Sequence, residues 1–122
     1  MPIFEETVAA EAIREAERTV INAKWHWYEE QALAELAARP GLTCTPLIPG
    51  HPVIQVVAYD GRLLGRVRRR TAGRGARWVA VPAATAHEIG PCRSVRAAAR
   101  ALAREAGRPH RGVTVHMRAG DR

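Results

Sequence analysis

Lysine is nearly missing from this chain. Of nineteen basic residues in a sequence of 122, only Lys24 is a lysine, and the other eighteen are arginines. There is no Gly-Lys-Ser/Thr, which excludes hydrolysis of nucleotides on a P-loop. Cysteine is scarce as well. Cys44 and Cys92 stand 48 positions apart with no C-x-x-C pair, and they read as two reduced thiols. No run approaches the roughly 18 uninterrupted apolar residues of a membrane span. Met1-Pro2-Ile3-Phe4-Glu5-Glu6 offers no basic region ahead of an apolar run, so the sequence predicts a cytoplasmic chain without a secretory signal. Glycine and proline are absent between Pro2 and Pro40, which removes every strong helix breaker from that stretch.

The residue types needed for catalysis are too dispersed to propose a centre. His87-Glu88-Ile89-Gly90-Pro91 begins like a zinc-protease motif but has proline where the second histidine must stand. His26, His51, His87, His110 and His116 are scattered, so no metal site is predicted. Beyond residue 40 the acids are Asp60, Glu88, Glu105 and Asp121, with no evident acid–base pair. The expectation is a protein that is not an enzyme and needs no cofactor.

What the sequence does have is charge divided by position. Residues 1–40 hold four basic and eight acidic residues, a net of −4; residues 41–122 hold fifteen basic and four acidic, a net of +11. The whole chain carries +7. A basic part of this size predicts a polyanionic partner.

Three segments follow. Residues 1–40 read as one long helix, with a weak point at Thr19-Val20-Ile21-Asn22. A heptad seam runs Ala9, Ile13, Ala16, Val20, Ala23, Trp27, Glu30, Ala34, Ala37, broken only by Glu30. A second stripe, Ile21, Trp25, Tyr28, Ala32 and Leu36, makes the latter half apolar on two sides. This predicts either a helix that docks on its own domain with one side and on a partner or a second copy with the other, or one whose two sides are both covered by its own chain. Ile13, Val20, Trp27 and Tyr28 are the candidate dimer or partner contacts. Residues 41–52, rich in proline and glycine, read as a linker.

Residues 53–122 read as a basic sheet-plus-helix domain. Val53–Tyr59 and Arg62–Arg70 form a hairpin about Asp60-Gly61. A simple register pairs Tyr59 with Arg62, Val57 with Leu64, Gln55 with Arg66 and Val53 with Arg68. One face is then apolar (Ile54, Val56, Ala58, Leu63, Gly65, Val67), and the other is an exposed surface carrying Arg62, Arg66 and Arg68. Arg77–Val81 is a third strand. Either Val79 and Val81 or Trp78 faces the core, and the size of the indole favours Trp78, beneath the second helix. Ser94 caps that helix, which runs to about Ala106. Val95, Ala98, Ala99, Leu102 and Ala106 form its buried stripe; Arg93, Arg96, Arg100 and Arg104 form an opposite one. Gly112–Met117 is a short fourth strand. The fold class is α+β: an antiparallel sheet of three or four strands with one packed helix, preceded by a long N-terminal helix.

One-signed arginine surfaces repel themselves unless something neutralises them. Guanidinium groups bind phosphate bidentately and read guanine edges. The prediction is a small accessory or regulatory protein that binds nucleic acid, duplex DNA in preference to RNA. The leading contacts are Arg62, Arg66, Arg68, Arg70 and Arg74, followed by Arg96, Arg100 and Arg104. Two other readings stand beside it. In one, the arginines reflect a GC-rich coding bias and pair with acids between Glu5 and Glu35. In the other, the chain is a protein-interaction module, antitoxin-like or an inhibitor, that binds an acidic protein.

Three strands followed by a helix over 53–106 resemble the arm-type DNA-binding domain of tyrosine integrases. The residues that carry the likeness are the Asp60-Gly61 hairpin, the Arg62–Arg70 strand, Arg77-Trp78-Val79-Ala80 and the helix start at Ser94. The resemblance implies a sheet laid in the major groove, with Arg66 and Arg68 on DNA. Helix, three strands and helix are also similar to the double-stranded RNA-binding domain, through Ser94-Val95-Arg96-Ala97-Ala98-Ala99. That likeness implies phosphate contacts at the start of the last helix.

Overall fold

The computed structural model describes residues 2–71 and 75–116, without the side chains of 2–8, 18, 19 and 21. Helix α1 spans Pro2–Leu36. Six strands and one further helix follow: β1 Leu42–Ile48, β2 His51–Tyr59, β3 Arg62–Thr71, β4 Ala76–Pro82, β5 Ile89–Cys92, α2 Val95–Glu105 and β6 Val113–Val115. The strands form one sheet in the order β5-β4-β3-β2-β1-β6. Every pairing is antiparallel except β1 with β6. The α+β class stands, but the sheet has six strands instead of three or four, and it is mixed.

The first correction concerns residues 41–52. They are not a linker: Leu42 to Leu47 form six consecutive buried residues of β1, between β2 and β6. Both faces of the strand are covered, so it shows no polar–apolar alternation. Leu42 and Cys44 join the cluster under α2, while Leu47 joins the one under α1. Pro46 is tolerated because β6 pairs only with Leu42, Thr43 and Cys44. At Pro46 the side of β1 away from β2 needs no N–H donor.

The second correction concerns the hairpin. The turn is as read: Asp60 and Gly61 take φ of 49° and 80°, and Tyr59 pairs with Arg62. The register then shifts between Val57 and Ala58, so that Val57 meets Gly65, Val56 meets Arg66 and Ile54 meets Arg68. A bulge at Leu64-Gly65 splits the expected apolar face. Val67 packs under α2, whereas Ile54, Val56 and Leu63 pack under α1. The sheet therefore has apolar residues on both faces, and Arg62 does not share a face with Arg66, Arg68 and Arg70, which lie exposed on the side that α1 partly covers.

Helix α1 docks on its own domain as expected. Its last third alone reaches the sheet, where Trp25, Tyr28, Ala32 and Leu33 pack on Leu47, Val56 and Ile54. Earlier in the helix Ile13 and Val20 are more than half exposed. On the opposite sheet face α2 runs as expected. Ser94 Oγ accepts from the Ala97 N–H at 3.0 Å, and Ala98, Ala99, Leu102 and Ala103 are buried. Ala103 takes the place expected of Ala106, which lies exposed at the C-cap. Trp78 packs against the cluster under α2.

Candidate nucleic-acid interface

The bulge in β3 decides where the arginines go. Arg66, Arg68 and Arg70 point to the side of the sheet that α1 partly covers, and each meets a carboxylate there. Arg66 lies 2.6 Å from Glu29 Oε2, and its guanidinium stacks over Trp25, 5.6 Å from the ring centroid. Arg68 pairs with Glu88 Oε1, while Arg70 lies 3.5 Å from Glu88 Oε2. These are contacts that sequence reasoning ranked first, and the fold occupies them with its own acids. Their surroundings form a cleft of about 690 Å³ over Ile54, Leu63, Val81 and Pro82. Arg62 stands at the hairpin end of β3, exposed and on the other face, away from Arg66 and Arg68. Arg74 lies outside the described residues.

The second group behaves differently. Arg96, Arg100 and Arg104 recur every four residues on one flank of α2, about 6 Å apart along its axis. Arg93, exposed, precedes the Ser94 cap of the helix. That flank overhangs the β6 edge of the sheet, because Arg96 Nη1 donates to the Val113 carbonyl oxygen at 3.0 Å. Arg111 lies two residues before β6, and Arg108 stacks over Tyr59 at 5.7 Å. Among the described residues, no acidic side chain pairs with Arg93, Arg100, Arg104 or Arg111. Glu105, the acid within α2, projects from the other flank by helix periodicity.

A free row of arginines is a chemically plain device. Each guanidinium offers five N–H donors in a planar fork that fits two phosphate oxygens. With one donor of Arg96 committed to Val113, four remain. The sequence shows the α2 stripe but ranks the hairpin above it, because the bulge and the positions of Glu29 and Glu88 are invisible there. Arg111 was passed over; it reaches this edge only through the parallel docking of β6 on β1.

The candidate partner residues divide as well. Tyr28 is half-buried against the sheet cluster, and Trp27 packs edge-on against it with ring centroids 5.1 Å apart. Ile13, Val20 and Trp27 lie exposed on the side of α1 turned away from the sheet.

Among the described residues no group of three His, Cys, Asp or Glu side chains is placed to hold a metal ion. No described helix is long and apolar enough to cross a membrane. At the other end of β6, His116 Nε2 lies 3.2 Å from Glu35 Oε2 and 3.3 Å from Arg39 Nη2, tying the strand to α1. No family model, curated protein or solved structure matches the chain.

Proposed function

We propose that the chain binds the phosphate backbone of duplex nucleic acid, DNA in preference to RNA, through the arginine flank of α2. The observation that carries this reading is the contrast between the two arginine sets. Arg66, Arg68 and Arg70 share two carboxylates, Glu29 and Glu88, whereas Arg93, Arg100 and Arg104 have no acidic partner among the described residues. A duplex presents about one negative charge per 1.7 Å of its axis, so a row of guanidiniums about 6 Å apart meets phosphates along its whole length. The contacts are to backbone, which positions a protein without reading sequence. The role is that of a binding or accessory protein and not of an enzyme.

A salt titration with a fluorescent duplex tests this. Affinity should fall steeply with salt, with a log–log slope of about −3 to −4 if four arginines engage. Arg100→Ala/Arg104→Ala should weaken binding and flatten the slope by about two. Arg66→Ala should leave both nearly unchanged. Equal binding by the double variant at low salt, or a loss confined to Arg66→Ala, overturns the assignment. The second reading, an acidic protein partner, draws on the same unpaired arginines and is what remains if no duplex binds at low salt.

A further inference from the structure

Between Ala9 and Lys24 the described side chains of α1 are almost all exposed, and none of them joins a cluster of the sheet. Isolated helices are marginal in water and are normally held by packing of an apolar face. Here that face exists and is uncovered. Ile13, Val20 and Trp27 are 59%, 54% and 55% exposed on one line, with Ala9 before them and Ala16 and Ala23 between them. The spacing alternates four and three, the period at which two helices wrap.

The seam carries its own holes. One shallow hollow is framed by Ile13, Ala16, Glu17 and Val20, and a second by Val20, Ala23, Lys24, Trp27 and Tyr28. Both contain the i, i+3, i+4, i+7 set that receives a knob from a facing helix. The small alanine in each leaves room for a large side chain. We infer that the occupant is the α1 of a second copy, running antiparallel about a two-fold axis between residues 21 and 22. In that register Trp27 of the partner subunit enters the hollow at Ala16, and Val20 of the partner subunit enters the hollow at Ala23.

Charge selects this arrangement over the parallel one. Glu17 and Lys24 flank the seam on the same side, at the position following each core alanine. In the antiparallel register Glu17 faces Lys24 of the partner subunit, and the symmetry repeats the pair. A parallel, in-register pair instead stacks Glu30 on the partner's Glu30 within the seam, where the antiparallel register sets Glu30 opposite Ile13 of the partner subunit and so avoids the like-charge contact. It also sets two segments of +11 side by side. The antiparallel pair separates those segments. It also lays the acidic first part of α1, with Glu5, Glu6, Glu11, Glu15 and Glu17 against Arg14 and Arg18, beside the basic domain of the partner.

The test is sedimentation velocity of the full chain, nuclease-treated, from 1 to 100 µM, with far-UV circular dichroism to confirm that each variant is folded. The wild-type chain should be a dimer. Lys24→Glu should raise the dissociation constant about tenfold, because it turns two attractions into two repulsions. Glu17→Lys/Lys24→Glu should restore it, since the swapped pair faces itself again. A wild-type monomer at 100 µM overturns the proposal and leaves the seam to a helix of another protein. A dimer indifferent to Lys24→Glu, or one that the folded double variant fails to restore, overturns the antiparallel register.

Discussion

Burial gives the two cysteines different chemistry. Cys44 is fully buried in the cluster under α2, and desolvation pushes its thiol from 9.0 up to about 11, with nearby Arg96 opposing. The thiolate is the reactive form. At pH 8 a thiol-specific reagent should therefore label the half-buried Cys92 in the native protein and both cysteines in denaturant. Equal native labelling would contradict the packing of β1. The sign of the accompanying pH effect follows. The folded thiol holds its proton to higher pH than the unfolded one, so Cys44 leaves stability unchanged below about pH 9. Stability then falls between about 9 and 11 as the unfolded chain alone ionises, by roughly 2–3 kcal/mol in all. Alkaline denaturation of Cys44→Ala should lack that component. At this scale the sequence was only partly legible. It singled out arginine as the candidate binding residue, and the Ser94 cap and the alanine face of α2 needed no structure. Which arginines were free depended on Glu29 and Glu88, 37 and 20 positions away from the arginines they engage first, Arg66 and Arg68. No local pattern carries that information.

Among the elements, β3 departs most from a simple reading. Period-two alternation is reliable only while the register is unbroken, and one extra residue exchanges the faces beyond it. Gly65 permits the exchange. A Cβ there would overlap the Val81 carbonyl oxygen of β4 and come within 3.0 Å of the Pro82 Cα, both backbone atoms that cannot swing aside. Gly65→Ala should destabilise the protein by about 1–3 kcal/mol, read as a lower denaturant midpoint in chemical unfolding. The same substitution at exposed Gly107, where nothing lies within 4 Å, tests a different term, because φ there is +69° and the cost is conformational alone. The glycine was visible in the sequence, but its contact with β4 was not. β1 was missed for a related reason. The prolines and glycines around it suggest loop, yet Pro46, the one proline within it, sits where the ladder needs no donor, and covered faces remove the alternation that marks a strand. Helix α1 was legible over its full length because the absence of breakers is itself a signal. The docked stripe was legible too, since Trp25, Tyr28, Ala32 and Leu36 are the positions that meet the sheet or are buried.

At the scale of the whole molecule, the two proposals combine into a prediction that neither makes alone. With the two-fold axis between residues 21 and 22, the two copies of Leu36 lie 29 residues apart along the paired helices, about 44 Å. A duplex must extend about 13 base pairs to reach that far. A 30-base-pair duplex should therefore bind the dimer at least tenfold more tightly than a 10-base-pair one, through simultaneous engagement of both arginine flanks. Lys24→Glu, which disrupts the pair, should abolish most of that gain while leaving affinity for the short duplex intact. Equal length dependence in both proteins would show that the gain comes from the number of binding positions and not from two linked sites. The shape of the sheet has a consequence of its own. Its long strands, β2 and β3, lie inside, and its borders are β5, four residues with a donorless Pro91, and β6, three residues. A border strand is where a foreign chain adds itself, and stubs this short template such addition poorly. The sheet thus ends in two places where self-propagating assembly cannot start, and the chain should stay dispersed at concentrations at which a sheet bordered by β2 or β3 would grow into fibrils.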